Sequence, residues 1–330
     1  MSGSGNRPLV AVTRSSLPGG GLDRLRKHAD VVLWPDDDDV PAAGVALRDL
    51  ARGADAVLAP YAKVDREFLE AVRGSVRIVA LPSAGYDAVD VGAALEAGVM
   101  ITNAPDVLHE TTADTTFALM LLARRLLFPA ARDLHEGRWK RARFDEHLGL
   151  DVTGATLGLA GYGQIAQAVA RRAAGFGMTV LHSLSRTGTT DLSTAVEWRE
   201  LLERSDIVSL HVPLTPETRH LIGAAELALM KPTATLINTA RGPVVDTEAL
   251  LRALDDGEIH SAGLDVFDVE PLRDPKHPVL THPRIAALPH VGSATEATRA
   301  RMVDHAVDNI LAVLDGRPPL TPVPELKERG

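Results

Sequence analysis

Arg241, Glu270 and His290 each follow a short apolar run in the second half of the sequence. Histidine exchanges protons near neutral pH, and a neighbouring carboxylate can orient the imidazole and favour its charged form. A guanidinium can bind a substrate carboxylate in fork geometry. Each residue alone also fits a structural role, but their common position after strands favours a catalytic set. Together they indicate an enzyme that delivers a proton to the oxygen of an anionic substrate, as hydride attack on a ketone requires.

A glycine-rich segment, residues 158–166, lies between a predicted strand and a predicted helix. Gly161, Gly163 and Ala166 fit the pattern G-x-G-x-x-G/A, in which the first glycine allows a tight turn and the second lets a pyrophosphate approach the backbone. The small third residue lets the helix pack on the strand, and the helix N-terminus faces the phosphates. The segment therefore predicts a dinucleotide-binding turn, with a glycine-rich turn of no function as the alternative.

The end of the next predicted strand bears on the choice of cofactor. NAD sites usually carry Asp or Glu there, about 20 residues after the glycine motif, to bind the ribose 2′-hydroxyl. Here the strand end contains Ser185 and Arg186, and the nearest downstream acid is Asp191. Ser185 and Arg186 can hold a 2′-phosphate through charge-assisted hydrogen bonds. The sequence therefore favours NADP over NAD, with a solvated loop arginine as the alternative.

Short apolar runs alternate with helical patterns along the chain, which predicts parallel sheets with helices on both faces. The first series of predicted strands comprises Leu9–Val12, Val31–Leu33, Ala56–Leu58, Ile78–Ala80 and Met100–Thr102. The second series comprises Thr156–Ala160, Thr179–His182, Ile207–Leu210, Thr235–Asn238, Ser261–Leu264 and Ile285–Leu288. Two complete series predict two doubly wound α/β domains. Ligands bind beyond the carboxyl ends of such strands, where Asp265 and the three catalytic candidates lie.

Two helices stand out in the remaining sequence. Residues 114–135 are predicted to form one long helix, because their apolar side chains are spaced for a broad buried face. A second helix closes the chain, with Ser293 and Glu296 fitting a capping box at its start. Gly316 and the proline two residues later end the second helix.

Composition and charge exclude several classes of function. The chain has 330 residues and a formal net charge of −9 without a basic stripe, which argues against nucleic acid as a main partner. Cysteine is absent, so disulfides, thiolate metal sites and cysteine nucleophiles are excluded. No stretch has the length and apolarity of a membrane span, and we expect a cytoplasmic protein. The run Asp36–Asp39 is predicted to be a solvated loop, and no metal site is expected.

Ordered segments from about Ala54 to the C-terminal helix resemble the D-2-hydroxyacid dehydrogenase family. The matching segments are residues 83–90, 103–108, 112–114, 158–166, 211–218, 238–246, 263–271 and 289–293. Within the family, the chain is most similar to the glyoxylate/hydroxypyruvate reductases, through residues 105–108, 111–114 and 292–295. The resemblance implies reduction of a small 2-oxo acid by NADPH or NADH, with His290 as the proton donor.

The resemblance also implies roles for individual residues. Arg241, Glu270 and His290 form the implied catalytic set, and the backbone N–H groups near Ala84 and Gly85 hold the substrate carboxylate together with Arg241. The implied cofactor contacts, which include the positions discussed above, are Thr112, Gly161, Tyr162, Gly163, Gln164, Ile165, Ser185, Arg186, Val212, Pro213, Thr218, Ala240, Asp265 and Gly292.

At the level of domains, the resemblance implies a discontinuous substrate domain, residues 1–103 with 295–330, around a Rossmann-like dinucleotide domain, residues 104–294. Closure of the two would exclude water from the hydride path. A homodimer joined through the long helix and the loop after it is also implied.

Two alternatives remain open. Ala142 stands where these reductases tend to carry a second tryptophan. The size of the substrate is therefore open, and a bulkier 2-oxo acid is an alternative substrate. A non-catalytic nucleotide-sensing or corepressor protein on the same fold is the alternative from another class. Turnover of the reduced cofactor with a 2-oxo acid discriminates between enzyme and sensor.

Overall fold

A computed structural model describes residues 7–35 and 44–329 of the chain. The chain divides into two compact units, Met1–Leu108 with Ala294–Gly330 and His109–Ser293, which we call the first and second units. The acidic run Asp36–Asp39 lies outside the described residues.

The strands coincide with the predicted runs to within one residue at each end. In the first unit they are β1 (Leu9–Val12), β2 (Asp30–Leu33), β3 (Ala56–Leu58), β4 (Ile78–Ala80) and β5 (Met100–Thr102). In the second unit they are β6 (Thr156–Ala160), β7 (Thr179–Ser183), β8 (Thr194–Ala195), β9 (Ile207–Leu210), β10 (Thr235–Asn238), β11 (Ser261–Leu264) and β12 (Ile285–Ala287). The two-residue strand β8 was not predicted.

The helices lie between the strands. They are α1 (Gly21–His28), α2 (Gly44–Leu50), α3 (Arg66–Ala71), α4 (Val91–Ala97), α5 (His109–Arg124), α6 (Leu127–His135), α7 (Gln164–Gly175), α8 (Trp198–Arg204), α9 (Ala224–Leu227), α10 (Thr247–Asp255), α11 (Pro278–Thr281) and α12 (Glu296–Leu314). Short 3-10 turns cover Gly242–Val244 and Pro324–Arg329. Among the described residues, no helix combines the length and apolarity needed to cross a membrane.

Both sheets are parallel apart from isolated bridges, and each has apolar cores on its two faces, which confirms the predicted fold class. The first unit has the strand order β2-β1-β3-β4-β5, and the second has β12-β11-β10-β9-β6-β7-β8. The central strands of each sheet are buried on both faces, which is why they read as continuous apolar runs. In the second unit the strand order reverses between β6 and β9, where dinucleotides bind in sheets of this order.

The prediction of one long helix over residues 114–135 is wrong, because the segment forms α5 and α6. Leu126 separates them with a φ of 53°, in the left-handed region, and its N–H donates to the carbonyl of Ala123. Pro129 explains the break: without an N–H it would interrupt a continuous helix, but it fits the first turn of α6.

The predicted cap of the C-terminal helix is also corrected. Thr295, not Ser293, is the N-cap of α12, and its hydroxyl accepts a hydrogen bond from the N–H of Thr298 at 3.2 Å. The end of the helix agrees with the prediction, since Gly316 follows it with a φ of 76°.

Candidate active site

The loops after three neighbouring strands of the second unit carry the predicted catalytic residues. Arg241 follows β10, Glu270 follows β11 and His290 follows β12, at the carboxyl edge of the sheet. The Nδ1 atom of His290 lies 2.6 Å from Oε2 of Glu270. The fold therefore brings a histidine and a carboxylate, 20 residues apart in sequence, into direct hydrogen-bond contact.

Glu270 uses both carboxylate oxygens, because Oε1 accepts a hydrogen bond from the N–H of Phe267 at 2.9 Å. Burial alone would raise the pKa of Glu270. The hydrogen bond and charge of His290, the N–H of Phe267 and the charge of Arg241 together hold that pKa below its ordinary value. The ionised carboxylate takes its hydrogen bond from Nδ1, so Nε2 of His290 is the nitrogen left to exchange a proton with a ligand.

The backbone of His290 is held in an uncommon conformation. Its φ of 53° lies in the left-handed region, and its N–H donates to the carbonyl oxygen of Asp265 at 2.8 Å. The Asp265 carboxylate then accepts hydrogen bonds from the N–H groups of Val291 and Gly292, at 2.8 and 2.7 Å.

Asp265 is 1% exposed, and this burial raises its pKa against the opposing effect of the two N–H groups. The sequence predicted Asp265 only as a cofactor contact. In the structure its hydrogen bonds also fix the backbone segment that carries the imidazole of His290.

Asn238 shapes the turn that carries Arg241, a role that the sequence analysis missed. Its Nδ2 atom donates to the carbonyl of Arg241 at 2.8 Å, and its Oδ1 accepts from the N–H of Ala240 at 3.0 Å. One guanidinium nitrogen of Arg241 also donates to the carbonyl of Ala240. The asparagine at the end of β10 gave a signal, since Asn side chains often bond nearby backbone in turns.

Gly242 lets the Arg241 loop approach the loop that carries Glu270. A Cβ atom at Gly242 would overlap the backbone of Phe267, whose N–H binds the Glu270 carboxylate. The absence of a side chain at Gly242 therefore sets the spacing between the two loops.

The glycine loop between β6 and α7 has the shape of a pyrophosphate cradle. Gly161 has a φ of 85°, and a Cβ there would lie 2.7 Å from the carbonyl oxygen of His211. Gly163 precedes α7 with open space where a side chain would stand. The N-terminus of a helix such as α7, which begins with Gln164 and Ile165, is suited to bind phosphate through its first N–H groups. The residues present thus fit a dinucleotide, with Tyr162 between the two glycines.

Ser185 and Arg186 lie exposed in the loop after β7, next to the glycine-loop strand β6. The Ser185 hydroxyl accepts a hydrogen bond from the N–H of Thr187 at 3.1 Å. Within the described part of the chain, no carboxylate pairs with Arg186. This loop presents a hydroxyl and an unneutralised guanidinium to solvent, as binding a phosphate requires.

The buried side chain of His182 holds this loop in place through hydrogen bonds, a role that was not predicted from the sequence. The side chain is 1% exposed, with Nδ1 at 2.6 Å from the Ser193 hydroxyl and Nε2 at 2.8 Å from the carbonyl of Thr187. Its ring stacks on Tyr162 with centroids 4.1 Å apart. No sequence pattern signalled this role, because the contacts join segments that only the fold brings together.

The remaining predicted residues lie in loops and helices of both units. A Cβ at Gly292 would lie 3.4 Å from a methyl carbon of Thr112, so these two are neighbours. The Thr218 hydroxyl donates to the carbonyl of Pro213 at 2.6 Å, in the segment after β9. Val212 lies in the same segment, and Ala240 lies in the turn after β10. Ala84 and Gly85 belong to the first unit, in the loop after β4.

Comparison with known proteins places these features in a family. Residues 117–292 match the model of the D-isomer specific 2-hydroxyacid dehydrogenase, NAD binding domain. The chain is 43% identical over 325 residues to a glyoxylate reductase of Thermococcus gammatolerans, covering 96% of this chain and 95% of that protein.

Two solved structures are similar over nearly the whole chain. The TT0316 protein of Thermus thermophilus is 43% identical with a TM-score of 0.87, over 96% of this chain and 99% of that one. An NADPH-dependent glyoxylate/hydroxypyruvate reductase of Sinorhizobium meliloti, in complex with NADP and malonate, is 35% identical with a TM-score of 0.83, over 97% and 98% of the two chains.

The close approach at Gly242 gives a stability prediction. We expect Gly242→Ala to lower the free energy of unfolding by at least about 2 kcal/mol, because the added methyl group overlaps the Phe267 backbone. Gly175→Ala in α7 is the matched control, since a Cβ there meets nothing within 4 Å. Urea unfolding of both variants checks this, and a Gly242→Ala protein as stable as the control would contradict it.

Proposed function

Because the chain belongs to the D-isomer specific 2-hydroxyacid dehydrogenase family, we propose that it reduces a small 2-oxo acid, glyoxylate or hydroxypyruvate, with NADPH. The family makes the chain an oxidoreductase and favours the enzyme over the nucleotide-sensing alternative. The observation that carries the proposal is the 2.6 Å contact between His290 Nδ1 and Glu270 Oε2, beside the loop of Arg241.

The His290–Glu270 pair supplies the proton that the reduction requires. A bound nicotinamide would supply the hydride to the carbonyl carbon, and negative charge then develops on the carbonyl oxygen. His290 donates its Nε2 proton to that oxygen, which completes the 2-hydroxy acid. Glu270 stabilises the charged imidazolium before transfer and keeps Nε2 directed away from itself, because Nδ1 is engaged at 2.6 Å.

Arg241 has the chemistry to bind the carboxylate of the 2-oxo acid, since its guanidinium matches a carboxylate with paired donors. Asn238 fixes the backbone on both sides of this residue, so the guanidinium projects from a rigid turn. In the first unit, the backbone N–H groups of Ala84 and Gly85 are the further carboxylate donors that we propose.

NADPH is the cofactor we propose, because Ser185 and Arg186 are exposed at the end of β7 and no acid occupies that strand end. Gly161, Gly163 and the N-terminus of α7 hold the pyrophosphate in this proposal. The similar reductase from Sinorhizobium meliloti is described as NADPH-dependent, which supports the same choice.

The units have separate roles in this proposal. Residues 1–103 with 295–330 bind the 2-oxo acid, and residues 104–294 bind the dinucleotide. The compact units, Met1–Leu108 with Ala294–Gly330 and His109–Ser293, have boundaries close to these, and the glycine loop lies in the second. A cytoplasmic location and the lack of a nucleic-acid partner stay predictions.

Replacing His290 tests the proton donor. We expect His290→Ala to lower kcat for glyoxylate reduction by about 10²- to 10⁴-fold, because the Nε2 proton is lost, while the Kd for NADPH stays similar. His28→Ala on the exposed face of α1 is the control and should match the wild type. Steady-state kinetics gives kcat, and NADPH fluorescence titration gives the Kd. A wild-type kcat in His290→Ala would contradict the role of His290 as the proton donor.

Replacing Arg186 tests the cofactor preference. We expect Arg186→Ala to raise the KM for NADPH about tenfold or more and to leave the KM for NADH nearly unchanged, because only NADPH carries the 2′-phosphate. Arg199→Ala is the control, since Arg199 pairs with Glu203 on the exposed side of α8. Equal effects of Arg186→Ala on both cofactors would reject the phosphate role.

A homodimer is the assembly we propose, because α6 and the loop after it bury little apolar surface. None of the residues of α6 is buried, and five large apolar side chains are exposed along α6 and the loop after it: Leu127, Leu134, Trp139, Phe144 and Leu148. Apolar patches of this kind mark interaction surfaces. We expect Phe144→Asp with Leu148→Asp to shift the mass in light scattering from two chains to one, and a monomeric wild type would contradict the proposal.

A further inference from the structure

Two successive carbonyl groups in the loop after β4 point the same way. The Ser83 carbonyl accepts a hydrogen bond from the N–H of Ala104 at 2.7 Å. The Ala84 carbonyl accepts one from Nδ2 of Asn103 at 2.6 Å. Both donors lie directly after β5, the strand paired with β4. Successive carbonyls alternate in direction along a strand, whereas in this loop both accept hydrogen bonds from the end of β5.

The directions of the N–H groups follow from peptide geometry. Both peptide groups are trans, and in a trans peptide group the N–H points opposite to the C=O. The N–H groups of Ala84 and Gly85 therefore both point away from β5, on one side of the loop. Neither donates a hydrogen bond to any atom of residues 7–35 or 44–329. Two adjacent N–H groups on one side form a concave site for an anion.

Asn103 is itself held by the segment that follows α12. The Thr321 hydroxyl donates to the Asn103 carbonyl at 2.6 Å, and the Asn103 N–H donates to the Thr321 carbonyl at 3.3 Å. The same hydroxyl lies 3.1 Å from Nδ2 of Asn309 and 2.9 Å from Nε2 of His305. These three contacts use the full hydrogen-bonding capacity of the Thr321 hydroxyl.

Asn309, on α12, holds the segment that contains Thr321. It is wholly buried, and its Oδ1 accepts hydrogen bonds from the N–H groups of Leu320 and Thr321, at 2.9 and 3.0 Å. Asn103 is 8% exposed, so its amide cannot exchange its partner for water without opening this network. An unbroken set of hydrogen bonds thus connects the Ala84–Gly85 peptide group, through Asn103, to α12 and the segment that follows it.

We propose that Asn103 is a positioning residue that directs the Ala84 and Gly85 N–H groups at the substrate carboxylate, and that Thr321 fixes Asn103. The inference rests on the proposed function, in which those N–H groups bind the carboxylate of a 2-oxo acid. Without the Asn103 amide the Ala84 carbonyl loses its donor. The hydrogen bond from the Ser83 hydroxyl to the Gly85 carbonyl, at 2.8 Å, still restrains the loop but does not hold the Ala84 carbonyl, so the Gly85 N–H is no longer directed by a bond to its own peptide group.

Substitution at position 103 tests the inference. Asn103→Ser is neutral and too short to reach the Ala84 carbonyl, whereas Asn103→Asp keeps the shape but replaces the donor with an acceptor. We expect both to raise the KM for glyoxylate, by about 10- to 100-fold. The kcat at saturating glyoxylate and the KM for NADPH should stay within about twofold, because binding of the carboxylate is weakened equally in ground and transition states.

Thr102→Val is the matched control, because Thr102 is buried beside Asn103 and its hydroxyl has no hydrogen-bond partner among the described residues. It should keep wild-type kinetics. Thr321→Val should raise the KM for glyoxylate and Thr321→Ser should restore it, because serine retains the hydroxyl. A merely structural role for Asn103 would lower the melting temperature without this selective change in KM.

Titration calorimetry with oxamate, a 2-oxo acid analogue, on the NADPH-loaded protein separates this inference from the proposed function. We expect the Kd for oxamate to rise at least about tenfold in Asn103→Ser. If the wild type binds oxamate but reduces no 2-oxo acid, the proposed function fails while the Kd still decides the role of Asn103.

An unchanged Kd and KM in Asn103→Ser, or no oxamate binding by the wild type, would overturn the positioning role. If the position 103 variants do not fold, the Thr321→Val and Thr321→Ser pair decides by the same KM and Kd measurements.

Discussion

The hydrogen bond between His290 and Glu270 is the contact on which the candidate site depends. Glu270 accepts a second hydrogen bond from Phe267, and the Phe267 backbone packs directly on Gly242 in the loop of Arg241. The loops after three neighbouring strands are thus fixed relative to one another at the carboxyl edge of the sheet. A displacement of the loop of Glu270 or of His290 would separate the imidazole from the carboxylate that orients it.

Asp265 shows how the fold supports a conformation that the chain alone would avoid. His290 has a positive φ, and the segment after it stays in place because both oxygens of a buried carboxylate bind its N–H groups. Burial raises the pKa of that carboxyl, which is a cost that the two N–H groups reduce. The precise placement of the imidazole therefore depends on a residue that does not itself transfer a proton.

The sequence predicted the strands closely because buried parallel strands read as uninterrupted apolar runs. The helix over residues 114–135 was predicted as one element because apolar spacing outweighed Pro129, which was the available signal for a break. The glycine loop and the family resemblance could be predicted from the sequence, because each depends on particular residue types at fixed spacing. The supporting roles of His182 and Asn103 could not be predicted, because they depend on contacts with segments that meet only in the folded chain. Asn238 is different: its partners are two and three residues away, and an asparagine at the end of a strand was a usable signal for a turn.

The central claim is that this chain is a 2-oxo acid reductase that uses NADPH. The most direct measurement is the initial rate of glyoxylate reduction by the wild-type protein, with NADPH and NADH in parallel at matched concentrations. We predict turnover with both cofactors and a higher kcat/KM with NADPH. A higher kcat/KM with NADH would contradict the cofactor assignment, and no turnover of glyoxylate or hydroxypyruvate with either cofactor would contradict the proposed reaction itself.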